Sequence, residues 1–498
     1  MKTSTKDAFC LFLLGAVLGS ASVGKLTAQS FASLHSFGTD PCSPPFLCPQ
    51  TEGRAPYGEL LLLGNALYGT TIAGGSSDQG TVFAIATNGS DFTSLYFFSG
   101  GSNGSYPKAG FALLGNRMYG TTVAGGSSFA GSVFASNTDG SDFMTLHSFT
   151  ATGPPTYYNS DGASPEAPLV ASSNTLYGTG SLGGNSGAGT VFAVNVDGTG
   201  FRTLHSFSNS DGANPHGDLL LSSNMLYGTT AFGANGFNPF SYSGSGTVFA
   251  LKTDGTSFAT LHYFAATNEE FSTGFHTNSD GASPLGGLTL SGNTLYGTAA
   301  YGGSSGKGTV FKVSTDGTGF MTLHNFTETD GANPQAPLIL CSNTLYGTAA
   351  YGGSSGKGTV FKVSTDGTGF MTLHNFTATY RDISMGNTNA DGANPFGGVT
   401  LSGNTLYGTA NDGGKFGRGT VFSISLPLNP PPLTIIPSGS DIILTWPTNA
   451  ISYTLQSTTN LFAPVWNTNL PLSDVVNGQN TVTNPMSSTE QFYRLKGC

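Results

Sequence analysis

The segment NTLYGTAAYGGSSGKGTVFKVSTDGTGFMTLHNFT occupies residues 293–327 and recurs without a change at residues 343–377. Its signature, Leu-Tyr-Gly, is found seven times along the chain. The first residues of these copies are Leu67, Met118 (in place of Leu), Leu176, Leu226, Leu295, Leu345 and Leu406. Self-similarity at a period near 50 residues is typical of propellers and other repeat architectures. The fold can therefore be predicted from the strands of one unit and the number of its repeats.

Each unit divides into four short runs that are predicted to be strands. In the fifth unit they cover residues 285–290, 294–300, 308–314 and 320–326. The last two runs alternate with period two and are rich in β-branched and aromatic residues, as strands require. Gly292-Asn293 and Asp316-Gly317 are pairs suited to tight hairpin turns. Four antiparallel strands in each of seven units predict an all-β fold, a seven-bladed β-propeller.

The two ends of the repeat region are complementary. Phe31–Phe37 reads as a fourth strand with no unit before it, and Gly419–Ser425 reads as a third strand with no fourth strand after it. We expect the N-terminal strand to complete the last blade, because this would close the ring and remove an exposed sheet edge. An open solenoid is the alternative, but it would need distinct capping repeats at its ends.

Four segments are distinguished by composition. Residues 1–28 combine a basic start with a short apolar core and predict a signal peptide, since the apolar run is shorter than the ~20 residues that a membrane span needs. Residues 29–426 form the predicted propeller, and residues 427–432 (PLNPPP) a stiff proline-rich linker. Residues 433–498 contain alternating strand-like runs and predict a small module of the Ig or fibronectin-III type, a β-sandwich.

The charge and the cysteine content of the sequence limit the kinds of partner and ligand that we expect. The net charge of −10 is spread thinly and no Lys/Arg cluster exists, which excludes a nucleic acid as a partner. No transmembrane span is expected once the signal is removed, so the protein should be secreted or at the cell surface. Cys42 and Cys48 would close a short loop in an oxidising compartment and are candidates for a disulfide. No cofactor and no metal site are expected.

The combined pattern LYGTxxxGG, GTVF, DGTxFxxLHxF and DGAxP resembles the GloVer tandem-repeat family of exported bacterial proteins. The resemblance covers about residues 31–425. It implies export and tandem repetition, and it supplies no catalytic residues.

Two polar residues recur with the repeat. A histidine stands in six of the seven fourth strands, at His35, His147, His205, His262, His324 and His374, with Tyr96 in the other. Equivalent positions around a ring would lie far apart, so we interpret the histidines as packing and hydrogen-bonding residues between blades rather than as metal ligands. The aspartate of the Asp-Gly-Ala-Xaa-Pro turn is interpreted as a turn residue. One carboxylate per turn is too few for calcium.

A single binding site should lie where the repeat is broken. Insertions fall only in the connections from second to third strand and from fourth to next first strand, which should share one face. The candidate ligand-binding residues in these insertions are Tyr157, Tyr158, Phe237, Phe240, Tyr242, Glu270, His276, Tyr380 and Arg381. Aromatic side chains with a few polar partners suit stacking on sugar rings.

The function predicted from this pattern is a binding or structural scaffold for carbohydrate, another extracellular polymer or a cell-surface component. The alternative is a carbohydrate-active enzyme, a hydrolase or lyase, whose site lies at the same insertion-bearing face. Glu269, Glu270 and Asp382 could supply the pair of carboxylates that glycoside hydrolysis uses. No nucleophile elbow or metal triad is present in the sequence, so no catalytic residue is predicted.

Overall fold

The computed structural model describes residues 29–38, 52–153, 158–233, 245–270, 275–382, 386–426, 433–447, 453–459, 467, 474–476, 479–485 and 491–497. The predicted signal peptide, the proline-rich linker and the Cys42–Cys48 pair lie outside these residues. Within them the regular structure is β-strand, apart from one short 3₁₀ turn at Gly101–Asn103. The all-β prediction is confirmed.

Seven repeat units each contribute an antiparallel sheet, and we number the units 1 to 7 along the chain. The first strands are Leu61–Leu63, Ala112–Leu114, Val170–Ser172, Leu220–Ser222, Thr289–Ser291, Ile339–Cys341 and Thr400–Ser402. The second strands are Ala66–Ala73, Arg117–Thr122, Thr175–Gly180, Met225–Thr230, Thr294–Ala299, Thr344–Ala349 and Thr405–Ala410. The third strands are Thr81–Ala86, Ser132–Asn137, Thr190–Asn195, Thr247–Lys252, Thr309–Ser314, Thr359–Ser364 and Thr420–Ser425. The fourth strands are Thr93–Phe97, Met144–Ser148, Arg202–Ser206, Ala259–Tyr263, Met321–Asn325 and Met371–Asn375, with Ser30–Ser36 in unit 7.

Three additions are attached to this pattern. Arg54–Pro56 pairs with the second strand of unit 1. Asn268–Glu270 pairs with Phe275–Thr277, and Tyr380–Asp382 pairs with Gly386–Thr388. Each of these two hairpins is inserted between a fourth strand and the next first strand.

The Leu-Tyr-Gly signature is explained by the pairing of the second and third strands. In unit 5, Gly297 lies opposite Phe311, whose ring is fully buried. A Cβ atom at Gly297 would lie 2.7 Å from Phe311 Cζ, closer than carbon atoms can approach. Glycine is needed at this position so that the phenylalanine of Gly-Thr-Val-Phe can pack across the sheet.

The N-terminal strand is the fourth strand of unit 7, as predicted. Ser30–Ser36 pairs antiparallel with Thr420–Ser425, with Ser30 opposite Ser425 and Ser36 opposite Thr420. Next to this strand, Phe37 N donates to Gly419 O over 3.0 Å. The two ends of the repeat region are therefore joined in one sheet.

Ring stacking links each unit to the next. His205 of unit 3 stacks on Phe258 of unit 4, with ring centroids 3.8 Å apart. The series continues through the end of the array, because His374 of unit 6 stacks on Phe31 and His35 stacks on Phe92 of unit 1. The interpretation of the repeated histidines as packing residues is confirmed.

A second set of contacts runs nearer the centre. Thr298 Oγ1 in unit 5 donates to Ala336 O in unit 6, over 3.0 Å. Thr409 Oγ1 of unit 7 donates in the same way to Gly58 O of unit 1, over 3.2 Å. Apolar cores lie between adjacent sheets, and the core between units 7 and 1 includes the fully buried Phe37. The repeat region is thus a propeller-like array whose last unit packs against its first.

The C-terminal module is also built of strands. Thr434–Ser438, Asp441–Pro447, Gln479–Pro485 and Asp474–Val476 form one antiparallel sheet in that order, and Tyr453–Thr458 pairs with Phe492–Gly497. Its core contains Leu444, Trp446, Leu455 and Val482. Assignment to the Ig or fibronectin-III type stays a prediction. In the parts of the chain with described structure, no helix is long and apolar enough to cross a membrane.

Candidate functional site

The repeated Asp-Gly-Ala-Xaa-Pro turn leads the chain from the outer strand of one unit to the inner strand of the next. In unit 6, Ala332 N donates to Tyr351 O over 2.8 Å, and Tyr351 N donates back over 3.0 Å. Asn333 N donates to Lys307 O of the preceding unit over 2.8 Å. The turn is thereby fixed both to its own unit and to its neighbour. The residue that follows the proline is placed at an equivalent point in every unit.

These residues after the proline converge on one opening, which they line together. We call them the mouth ring: Tyr57, Lys108, Glu166, His216, Leu285, Gln335 and Phe396. All seven are of different types, although the turn before them is nearly constant. The symmetry of the repeat is broken at this position, and unlike groups meet where a ligand could contact several at once.

One side of the opening is aromatic. The Tyr57 and Phe396 rings stack at 4.9 Å between centroids, and Phe396 meets the edge of Tyr351 at 5.8 Å. Tyr351 and its equivalent in unit 5, Tyr301, are 43% and 50% exposed. Tyr57 OH is 3.5 Å from Gln335 Oε1, to which it donates. This side offers flat apolar surface beside polar groups.

The other side of the opening is charged. Glu166 Oε2 lies 2.8 Å from His216 Nε2 and also forms an ion pair with Lys108 Nζ. Burial raises the pKa of Glu166, but the hydrogen bond and charge of His216, together with Lys108, outweigh it and hold that pKa far below its usual range. Lys108 Nζ also lies 4.8 Å from the centre of the Tyr57 ring. Glu166 is held as a carboxylate and is unsuited to donate a proton.

Two residues after the mouth-ring position, units 1 and 4 carry acidic residues whose carboxyl groups also line the opening. Glu59 and Asp218 occupy this position in units 1 and 4, and we call them the carboxyl pair. The other five units have Gly110, Pro168, Gly287, Pro337 and Gly398 there. Burial, with the charge of Asp218, raises the pKa of Glu59 to about 8, and burial raises the pKa of Asp218 to about 6.

A cavity of about 510 Å³ adjoins the carboxyl pair along the first strands, and we call it the inner chamber. Besides Glu59 and Asp218, its lining includes Leu61, Val170 and Leu401. Thr400 Oγ1 also lines it and donates to Glu59 Oε1 over 3.4 Å. The opening is therefore polar at the mouth ring and acidic at the carboxyl pair, and the inner chamber has both apolar side chains and polar surface in its lining.

Of the residues predicted from the insertions, the three whose side chains are described (Tyr158, Tyr380 and Arg381) are not among those that line the mouth. Tyr158 and Tyr380 are 51% and 76% exposed, and Arg381 lies beside Tyr380 in its hairpin. Glu270 and His276 lie on the two strands of the other hairpin. Tyr157, Phe237, Phe240 and Tyr242 fall outside the described residues. A role for these nine residues in binding stays a prediction.

The mouth ring was not among the predicted site residues, although the sequence contains a signal for it. The position after the repeated proline carries Tyr, Lys, Glu, His, Leu, Gln and Phe in turn. A position that varies this widely inside a nearly constant motif indicates that the fold does not determine its residue type, so that it is available for binding. Attention to insertions alone passed over it, because no residue is inserted there.

The repeated histidine and aspartate form pairs at the outer end of the turn. His Nε2 and Asp Oδ2 are 2.9–3.1 Å apart in five units. In unit 1 the pair is replaced by Tyr96 and Asn103, whose Nδ2 donates to the Tyr96 hydroxyl over 2.8 Å. These contacts hold the turn to the fourth strand. No group of three or more His, Cys, Asp and Glu side chains positioned for a metal occurs in the described part of the chain.

Replacing Asp330 with asparagine should weaken this turn. Burial raises the pKa of Asp330, but hydrogen bonds from His324 and Thr327 N more than offset this, so that the pKa is lowered overall. Its stabilising contribution is present above the unfolded pKa and is lost as pH falls through the folded pKa. We expect Asp330→Asn to cost about 1 kcal/mol at pH 7 and less at pH 3, measured by urea unfolding. Equal stability of variant and parent at pH 7 would contradict this role.

The repeat region matches a known family of sequence repeats. The profile of the Gloeobacter/Verrucomicrobia repeat matches residues 46–159, 155–275 and 267–430. No curated protein sequence matches the chain.

Three solved structures illustrate the structural likenesses. A nidogen/laminin complex shares 16% identity, with 55% of this chain and 81% of that chain covered and a TM-score of 0.35. An oligogalacturonate lyase in complex with manganese shares 9% identity over 73% and 87%, with a TM-score of 0.42. A puromycin-hydrolyzing peptidase of Mycobacterium tuberculosis shares 11% over 82% and 61%, with a TM-score of 0.45.

The resemblance of the repeated motif to the GloVer repeats is therefore confirmed by sequence. The three profile matches together run from residue 46 to residue 430, well over half of the chain. This chain belongs to the family of the Gloeobacter/Verrucomicrobia repeat.

Proposed function

We propose that this protein is an exported, closed seven-bladed β-propeller that binds carbohydrate at its mouth ring, without catalysis. Closure is supported by the sheet that joins Ser30–Ser36 to Thr420–Ser425 and by the contacts from unit 7 to unit 1. A closed ring makes the seven turns converge on one axis. Export is supported by membership of the repeat family and by the signal-like first 28 residues.

The observation that carries the binding function is the composition of the mouth. The rings of Tyr57, Phe396 and Tyr351 are in contact beside Gln335, and the Lys108–Glu166–His216 cluster lines the same opening. Tyr301 has the equivalent exposed position in unit 5 and interacts electrostatically with Tyr351. The apolar face of a sugar ring packs on aromatic rings, and its hydroxyl groups need donors and acceptors around the edge. A site with large rigid rings and a few fixed polar groups meets both needs.

Binding is favoured over catalysis by the state of the charged groups at the mouth. Glu166 is occupied by two cations, and its lowered pKa makes it a poor general acid at neutral pH. His216 and Lys108 are in turn held by Glu166. This cluster is suited to hold a fixed geometry and to accept or donate hydrogen bonds.

The proposal is tested with the chain from residue 29 to residue 498, first on a glycan array and then by calorimetry with the best ligand. We expect the double variant Tyr301→Ala/Tyr351→Ala to bind at least tenfold more weakly, because each stacking contact contributes about 0.5–1.5 kcal/mol beyond its buried area. Met321→Ala/Met371→Ala is the matched control, since both methionines are 50% exposed on fourth strands. The control should bind as the parent does.

Three results would contradict the proposal. They are absence of binding to any glycan, equal loss in the methionine control, and release of reducing sugar from the bound polymer. A separate pair, Tyr158→Ala and Tyr380→Ala, examines the insertions. If these two variants lose binding while Tyr301→Ala/Tyr351→Ala keeps it, the site lies in the insertions and not at the mouth ring.

A further inference from the structure

The space around the carboxyl pair depends on the size of the neighbouring residues in units 5 and 7. A Cβ atom on Gly287 would lie 2.7 Å from Asp218 Cβ, so a larger residue in unit 5 would displace the aspartate. A Cβ atom on Gly398 would lie 3.6 Å from Glu59 Cδ. Glycine at position 287 therefore leaves the space that Asp218 occupies, whereas a Cβ atom at position 398 would make an ordinary van der Waals contact with Glu59. Glu59 and Asp218 are thus the two acidic residues at a position that is glycine or proline in the other five units.

These two carboxyl groups lack a counter-charge of their own in the described structure. Lys108 and His216, the cations of the mouth ring, are both bound to Glu166. Glu59 accepts a long hydrogen bond from Thr400, and Asp218 accepts one from its own backbone N–H. Burial disfavours the ionised form of both groups; the charge of Asp218 adds to this at Glu59, whereas the charge of His216 partly offsets it at Asp218. A ligand that brings positive charge would relieve the part of this cost that His216 and Thr400 do not offset.

The inner chamber supplies the second, independent requirement for a ligand site. Its volume of about 510 Å³ lies in the range of small-molecule sites. Leu61, Phe111, Val170 and Leu401 are part of its lining. The titratable groups in this lining are Glu59 and Asp218, and those of the adjoining mouth are Tyr57, Lys108, Glu166 and His216. A space with aliphatic side chains in its lining and two acids at its boundary suits a molecule with one charged end.

A metal ion fits this level less well. Calcium takes 6–8 oxygen ligands, whereas the two carboxyl groups come from units 1 and 4 of the repeat. Among the described residues no third His, Cys, Asp or Glu joins them in a metal-binding group. Hydrogen-bond donors on an organic cation would instead satisfy each carboxylate, while its carbon body fills the chamber.

We propose that the inner chamber binds an organic cation, with its ammonium or guanidinium group between Glu59 and Asp218 and its apolar body along the leucine-rich lining. This site adjoins the glycan site, since Glu59 and Asp218 also line the opening at the mouth ring, but it uses other side chains, so that either proposal can fail without the other. The charge of the ligand is recognised by the acids, and its length is limited by the chamber.

The probes are three six-carbon molecules that differ only in the end group: hexylammonium, hexanol and hexanoate. Calorimetry on residues 29–498 at pH 7.5 should show hexylammonium bound at least tenfold more tightly than hexanol, and hexanoate not bound. The variant Glu59→Gln/Asp218→Asn should lose this preference. Asp316→Asn/Asp366→Asn, which removes two exposed hairpin charges, matches it in net charge and should keep the preference.

The pH dependence gives a readout that needs no variant. Because the cation binds the ionised acids, the affinity for hexylammonium should rise between pH 5.5 and pH 8.5, while that for hexanol should stay flat. The proposal is overturned if hexanol binds as tightly, or if the preference survives in the double variant. It is also overturned if the affinity is independent of pH, or if 1 mM calcium displaces hexylammonium and itself requires Glu59 and Asp218.

Discussion

Replacement of Phe37 by alanine is expected to cost about 3–5 kcal/mol of unfolding free energy, the range found for a fully buried phenylalanine. Phe37 is completely buried in the core between units 7 and 1, with its ring edge-on to Phe83 at 5.2 Å. Its equivalent between units 2 and 3 is Phe149, which meets Phe192 at the same 5.2 Å. If the ring is closed, both substitutions remove the same packing.

The comparison of these two variants decides whether closure contributes to stability. Urea unfolding of Phe37→Ala and Phe149→Ala should give losses that agree within about 1 kcal/mol, given the usual scatter between sites of the same chemistry. Phe97→Ala is the control: Phe97 is the last residue of the fourth strand of unit 1 and its ring is partly exposed, so its loss should cost much less. A small loss for Phe37→Ala beside a large one for Phe149→Ala would mean that the N-terminal strand frays and the array is open.

The second large effect is expected from Glu59→Gln, and it depends on pH. The folded pKa of Glu59, about 8, lies above its ordinary value of 4.5, so the folded protein holds a proton that the unfolded chain has lost. Stability must therefore fall as pH rises from about 4.5 to 8. Glutamine keeps the shape and cannot ionise. We expect the variant to match the parent near pH 5 and to exceed it by about 2–4 kcal/mol at pH 8.5.

The measurement is the free energy of unfolding in urea at half-unit steps from pH 5 to pH 9. Asp366→Asn serves as the control, because Asp366 lies in an exposed hairpin and is paired with Thr368. It should leave the slope of the parent unchanged between pH 5 and pH 8.5. A variant Glu59→Gln with the same slope as the parent would show that Glu59 ionises at its ordinary pKa in the folded channel.

The sequence was sufficient for features that repeat and for features that follow from chain order. Leu-Tyr-Gly and Gly-Thr-Val-Phe predict adjacent strands because a glycine must lie under a phenylalanine, as Gly297 and Phe311 do. The missing fourth strand after Ser425 predicted the pairing of Phe31–Phe37. The histidines were correctly assigned to packing between units, since a position repeated in nearly every unit serves a need of every unit.

The candidate site could not be reached in the same way. Glu59 and Asp218 are far apart in the sequence, and that they line the same cavity is visible only in the structure. Neither acid stands out beside the carboxylates of the turns. The insertions drew attention to Tyr158 and Tyr380 because length differences are visible in a sequence, whereas convergence of side chains is visible only in three dimensions.

The position of the N-terminal strand also has a consequence for the time course of folding. Ser30 pairs with Ser425, so the first strand of the chain forms its sheet with the last strand of the repeat region. During synthesis, Ser30–Ser36 must remain without this partner until nearly 400 further residues have emerged. Contacts at such separation form slowly, since the chain between their ends must first be ordered. A chain interrupted before Gly419 would leave that strand without its partner, and the sheets at both ends of the array would keep an open edge.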